Sequence, residues 1–127
     1  MKKKILIIED NPVNMKLASS LLLKEGYAVR EASDAETGMA IAREQNPALI
    51  LMDIQLPDMD GLTATKLLKN NAATNDIPVI ALTAFAMKGD EEKMLAAGCD
   101  DYIAKPIRYQ EFLSTIDTWL SKEKLTG

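Results

Sequence analysis

Acid, hydroxyl and amine side chains stand at the ends of the short apolar runs of this 127-residue chain. Glu9 and Asp10 follow Ile5 to Ile8, Asp53 follows Ala48 to Met52, Thr83 follows Val79 to Leu82, and Lys105 with Pro106 follows Tyr102 to Ala104. Helix and strand formation need no charge at these places, and anions gathered at one edge repel unless a cation lies among them. Carboxylate oxygens without imidazole or thiolate select a hard ion, Mg2+ or Mn2+, which keeps several waters and takes one or two carboxylates together with phosphate oxygens. Glu9 and Asp10 would hold that ion from one strand end. Asp53 would be both ligand and nucleophile, attacking phosphorus in line while the metal and Lys105 neutralise the transferring oxygens. Thr83 would then bond a phosphoryl oxygen and turn the chemical event into a loop movement, which describes a switch and not a turnover site.

Taken singly, each residue has a plainer reading. Adjacent acids such as Glu9 and Asp10 usually open a solvated loop or sit at a helix N-terminus, and an Asp that ends a strand is often a turn residue. Thr83 alone reads as a cap, Lys105 as a surface lysine and Pro106 as a strand end. Their joint occurrence at corresponding strand ends outweighs these readings. Composition narrows the chemistry further. The chain has no histidine, which removes imidazole acid/base catalysis, Ser-His-Asp chemistry and the usual zinc sites together. Its formal charge of -4 and scattered basic residues argue against a nucleic-acid binder. Only Lys2 to Lys4 form a basic run, and the apolar run after them is too short for a signal-peptide core or a membrane span. A single cysteine, Cys99, excludes an internal disulfide and, with no targeting segment, points to the reducing cytoplasm. Beside Gly98 it reads as a small buried side chain. With 47% hydrophobic and 27% charged residues, residues 1–127 are expected to form one ordinary globular domain, able to bury roughly two-thirds of its unfolded surface.

The elements that must position these groups follow from local pattern. Buried strands are expected at Ile5 to Ile8, Ala48 to Met52 and Val79 to Leu82, with weaker candidates at Tyr27 to Ala32 and Tyr102 to Ala104. Asn11 caps a first helix with Pro12 in its first position, Val13, Leu17 and Leu21 repeat on one face, and Gly26 stops it. A second helix opens on Ser33 and Glu36 in capping-box spacing and ends before Pro47. The third follows Gly61 and carries Leu62, Leu67 and Leu68, and a polar loop from Asn70 to Asp76 leads on to Pro78. The fourth has Asp90, Glu91 and Glu92 near its start and Gly98 past its end. In the fifth, Tyr109, Phe112, Leu113, Ile116 and Leu120 form one stripe. Strict alternation of five strands and five helices predicts a doubly wound, flavodoxin-like (βα)5 fold of the α/β class. Its parallel sheet would have the order 2-1-3-4-5, with the ligand site outside the carboxyl ends of the strands.

Four segments are specific: Ile-Leu-Ile-Ile-Glu-Asp-Asn at 5 to 11, Leu-Met-Asp-Ile-Gln-Leu-Pro-Asp-Met-Asp-Gly at 51 to 61, Ile-Ala-Leu-Thr-Ala at 80 to 84, and Tyr-Ile-Ala-Lys-Pro at 102 to 106. Through them the chain resembles, over essentially its whole length, the CheY-like receiver domains of bacterial two-component response regulators. The resemblance implies Mg2+ held by Glu9, Asp10, Asp53 and the backbone carbonyl of Gln55, phosphorylation of Asp53, and Thr83 and Lys105 as phosphate partners. It also implies that Tyr102 is the switch aromatic, that the Lys105–Pro106 peptide is cis, and that Gln55 and Phe85 influence how fast phosphate is lost. Residues 11 to 16 and 83 to 90 are similar to single-domain cell-cycle regulators and to receivers of hybrid kinases. The implied donor is a histidine kinase or histidine phosphotransfer protein, because a chain without histidine cannot carry its own phosphohistidine. The output is a protein contact across the fourth helix, fifth strand and fifth helix, where Glu91, Lys93 and Arg108 equally suit a solvated face. No nucleic acid or membrane is expected, and the chain would be a monomer or a dimer promoted by phosphorylation. An aspartyl-phosphate phosphohydrolase would need an acid at Gln55, where an amide cannot act as general acid or base. A flavin module would need a Ser, Thr and Gly loop where the chain has Glu9-Asp10-Asn11-Pro12.

Overall fold

The protein is described from a computed structural model covering residues 2–84 and 88–126. Strand and helix alternate along the chain: β1 (Lys4–Ile8), α1 (Pro12–Lys24), β2 (Ala28–Ala32), α2 (Ala35–Gln45), β3 (Leu49–Asp53), α3 (Gly61–Lys69), β4 (Val79–Thr83), α4 (Lys88–Ala96), β5 (Asp101–Ala104) and α5 (Tyr109–Thr126). The strands form one parallel sheet in the order β2-β1-β3-β4-β5. Because β1 has β2 on one side and β3 on the other, the winding direction reverses there, and a crevice opens at the strands' carboxyl ends.

Residues of opposite parity feed two apolar layers, as period-two alternation requires. Ile5, Ile7, Leu49, Leu51, Ile80 and Leu82 pack with Met15, Ala18 and Leu22 of α1 and with Phe112, Ile116 and Leu120 of α5. On the other face Leu6, Ile8, Ile50, Met52 and Val79 meet Ala35, Met39 and Ala42 of α2 and Ala64 and Leu68 of α3. Helices cover both faces of β1, β3 and β4, so these strands are apolar except for Lys4, Asp53 and Thr83 at their ends, whereas the edge strand β2 exposes Arg30 and Glu31. Charged side chains on an edge discourage pairing with a second chain. Cys99 is buried beside Ala81 and Met94, as expected.

Three local expectations are corrected. The face of α1 that meets the sheet carries Met15, Ala18, Ser19 and Leu22, while Val13 is 75% and Leu17 41% exposed and Leu21 is only partly buried. Both sets have helical spacing, so periodicity alone does not choose between them; the small Ala18 and Ser19 let the helix lie close to the strands. The cap of α2 is Asp34, whose side chain accepts the Thr37 N–H at 2.7 Å, and not Ser33 one residue earlier. Tyr109, at the first position of α5, is 49% exposed, and the buried stripe begins at Phe112. The ends of α1 agree with expectation: Asn11 accepts from the Val13 and Asn14 N–H groups, and Gly26 has φ 92°.

Asp100 is a rivet at the amino-terminal end of the sheet that the sequence does not announce. Its Oδ2 accepts the Val79 N–H at 2.8 Å and the Lys69 ammonium at 2.8 Å, while its own N–H donates to the Val79 carbonyl at 2.8 Å. The ammonium of Lys69 also donates to the Ile77 carbonyl at 2.9 Å, so one carboxylate ties α3, β4 and the approach to β5 together. Asp100→Ala would leave a buried N–H unpaired, and urea unfolding is expected to show a loss of about 1–3 kcal/mol. An unchanged midpoint would mean that water replaces the carboxylate.

Candidate functional site

Ladder register brings the strand ends level. Ile8 is opposite Met52, Asp53 opposite Leu82, and Thr83 opposite Ala104. Pairing continues one step beyond the strands: the Glu9 N–H donates to Ala32 O at 3.0 Å, Ile54 N–H to Leu82 O at 3.2 Å and Lys105 N–H to Thr83 O at 2.7 Å. Glu9, Asp53, Thr83 and Lys105 therefore come together although they are distant in sequence. Glu9, Asp53 and Thr83 are almost fully buried, and Asp10 is exposed at the rim.

The Lys105 ammonium lies between two carboxylates, 2.8 Å from Glu9 Oε1 and 3.2 Å from Asp53 Oδ1. Backbone donors fix the acids further. The Asn11 N–H reaches Glu9 Oε2 at 3.3 Å, and the Gln55 N–H reaches Asp53 Oδ1 at 3.1 Å. Despite the close ammonium, the approach is not that of a hydrogen bond, and Glu9 Oε1 is buried without one. The Lys105–Pro106 peptide is cis.

Electrostatics divide the two buried acids. Burial, then the hydrogen bond and charge of Glu9, push Asp53 up to about 7, against the weaker pull of the Gln55 N–H and Lys105. Burial also opposes ionisation of Glu9, but its closeness to Asp53 and to the Lys105 ammonium, with the bond from the Asn11 N–H, holds it below the ordinary carboxylate range. Lys105 is raised: burial disfavours its charge, and the two carboxylates more than offset that. One ammonium thus does not neutralise the cluster. Glu9, Asp10 and Asp53 each offer an oxygen within 4.8 Å of the others'. Hard donors, excess negative charge and a buried oxygen short of a hydrogen bond suit a small divalent cation.

The loop after Asp53 is closed at its base. The Gly61 N–H donates to Ile54 O at 2.8 Å, and Gln55 and Asp60 form an antiparallel bridge. Gln55 thus belongs to the site through its backbone, while its side chain is exposed. Tyr102 stands apart, half-buried on β5 with its hydroxyl 3.4 Å from Glu91 Oε2 on α4. Phe85 lies outside the described residues. Sequence reasoning missed Asp58, whose carboxylate accepts the Ala35 and Glu36 N–H groups at 2.9 and 3.0 Å. An acid within Pro-Asp-Met-Asp-Gly was its only signal, and nothing in that string indicates a helix elsewhere.

Residues 5–117 match the response regulator receiver domain family. The chain belongs to that family. It is 48% identical over 120 residues to the polar-differentiation response regulator DivK of Brucella ovis, covering 94% of this chain and 98% of that protein. DivK of Brucella anthropi is equally similar, at 48% over 120 residues. Among solved structures, a CheY-like receiver from Methanospirillum hungatei matches with a TM-score of 0.92 and 30% identity, covering 100% of both chains. The receiver domain of a sensor histidine kinase from Pseudomonas aeruginosa matches with a TM-score of 0.88 and 37% identity, over 95% of this chain and 99% of that one. That structure has a magnesium ion coordinated in its active-site cleft. These matches establish a two-component receiver domain with the expected CheY-like fold. Among the described residues, no helix is long and apolar enough to cross a membrane.

At Gly61 the backbone passes close against the end of β3. A Cβ there would overlap the Asp53 carbonyl oxygen and lie 2.8 Å from Ile54 Cα. Backbone cannot rotate aside as a side chain can, so Gly61→Ala is expected to cost about 1–3 kcal/mol in urea unfolding. It should also shift the amide resonances of Ile54 and Gln55. Wild-type stability with unmoved resonances would show that the loop has slack.

Proposed function

We propose that residues 1–127 act as one receiver unit, accepting a phosphoryl group on Asp53 from a phosphohistidine of a partner protein in a Mg2+-dependent reaction. The observation that carries this reading is the Lys105 ammonium bridging Glu9 and Asp53 at the carboxyl edge of the sheet. Glu9, Asp10, Asp53 and the Gln55 carbonyl would hold the ion. When bound, it supplies positive charge for the phosphoryl oxygens.

An oxygen of the ionised Asp53 carboxylate forms the new O–P bond as the P–N bond to the donor imidazole breaks. The electron pair of that bond stays on the imidazole nitrogen, which takes up a proton. Lys105, already 3.2 Å from Asp53 Oδ1, places its charge where the transferring oxygens arrive, and burial of Asp53 and Thr83 keeps competing water away. With no histidine in the chain, the phosphohistidine must come from a histidine kinase or a histidine phosphotransfer protein.

After transfer, Thr83 turns its hydroxyl to a phosphoryl oxygen. Tyr102 then leaves Glu91 and turns inward, changing the surface made by α4, β5 and α5 that a downstream protein reads. Slow hydrolysis of the aspartyl phosphate resets the switch.

Intact mass after incubation with acetyl phosphate should show a single phosphoryl adduct that requires Mg2+ and is missing in Asp53→Asn. Equal labelling of that variant would remove Asp53 from the role. Lys105→Ala should label about a hundredfold more slowly, the loss typical of deleting one preorganised charge partner. An unaltered rate would exclude Lys105 from transition-state stabilisation.

A further inference from the structure

Asp58 lies in the loop between β3 and α3, yet it caps α2. Its two carboxylate oxygens accept the N–H groups of Ala35 and Glu36, the first two residues of that helix. Asp34 accepts at the next two positions, with its side chain for the Thr37 N–H and its carbonyl for the Gly38 N–H. Three of the N–H groups that the helix leaves without internal partners, those of Ala35, Glu36 and Thr37, are thus covered by two acids, one of them imported from 23 residues away. Negative charge at this end also suits the helix dipole.

The imported cap pins the middle of a loop whose two ends are already held. At its base are the Gly61 N–H to Ile54 O bond and the Gln55–Asp60 bridge, and Asp60 itself caps α3 by accepting the Leu62 N–H at 2.9 Å. On its far side α2 is locked onto β1. A Cβ on Gly38 would overlap the Ile8 side chain, and Ile8 directly precedes Glu9. Contacts therefore run in a ring: Glu9, β1, α2, Asp58, the loop, and back to Gln55 and Asp53. Both sides of the acidic cluster belong to this ring, and the exposed Asp58 is the link in it that water can most easily replace.

We infer that Asp58 is a positioning residue for the site: its cap on α2 holds the loop that carries Gln55 in place, so that cation binding and order at the start of α2 are one equilibrium. This rests on the Mg2+ site proposed above. Because the coupling is reciprocal, Mg2+ should tighten the α2 cap by the same factor by which the cap tightens Mg2+.

Mg2+ titration followed by 15N NMR, with amide hydrogen exchange, tests this on the wild type, Asp58→Ala, Asp58→Asn and Asp34→Ala. In the wild type, Mg2+ is expected to shift the Gln55 amide and to slow exchange at Ala35 and Glu36. Asp58→Ala should bind Mg2+ about tenfold more weakly, the low end of what loss of a group that orients a metal ligand costs, and its Ala35 and Glu36 exchange should no longer respond to Mg2+. Asp58→Asn, which keeps one acceptor oxygen, should fall between. Asp34→Ala removes a cap from the same helix without touching the loop, and should weaken Mg2+ binding less than Asp58→Ala does. Wild-type affinity in Asp58→Ala, or an equal loss in Asp34→Ala, would overturn the positioning role while leaving the metal site standing. A wild-type protein that binds no Mg2+ would overturn the metal site and the inference with it.

Discussion

Two buried carboxylates, Glu9 and Asp53, share one ammonium at the carboxyl edge of the sheet. Charges taken out of water are tolerated only where partners are already in place, so the surrounding backbone must hold Glu9, Asp53 and Lys105 to within fractions of an ångström. Parallel pairing does this. Each group sits at or one residue past the end of a different strand, and hydrogen bonds extending beyond β1, β3 and β5 carry the register out to the charges. Burial first, and then the neighbouring Glu9, push Asp53 upward, and the charge of Lys105 does not offset them.

The rest of the fold can be read as support for that edge. Four crossovers and the final helix place α1 and α5 on one face and α2 and α3 on the other, so β1, β3 and β4 are covered on both sides and cannot slide. A one-residue slip would carry every buried side chain of a strand to the opposite layer. Asp100 locks the opposite end of β4, and Gly61 lets α3 begin against the backbone of Asp53 and Ile54. The loop between β3 and α3 is joined to α2 through Asp58. The link from Tyr102 to Glu91 is longer, at 3.4 Å, and only partly buried.

Much of this was legible in the sequence because the signals are local. Apolar runs of strand length, Asn11-Pro12, Gly26 and Gly98 mark element ends by rules that act over a few residues. Strict alternation then leaves few topologies, and the strand order 2-1-3-4-5 follows from right-handed crossovers. The acids, the hydroxyl and the lysine could be named for the same reason: each directly follows its strand. Two failures came where a choice was not local. Val13 and Leu17 satisfy helical period as well as Met15, Ala18 and Leu22 do, and only the sheet decides which set is inside. Tyr109 completes a stripe in sequence but stands too early in α5 to be covered.

The sequence by itself determined the types of element, their order, the family and the set of side chains available for chemistry. It did so because backbone preferences, apolar period and the position of a charge after a strand are properties of neighbouring residues. Only the tertiary structure decided which oxygen meets which nitrogen, that Glu9 Oε1 is buried without a hydrogen bond while Glu9 Oε2 is held by the Asn11 N–H, and that Asp58 serves a helix preceding it by more than twenty residues. Those facts depend on distances between segments far apart along the chain, which are set when the two faces of the sheet are packed and not before.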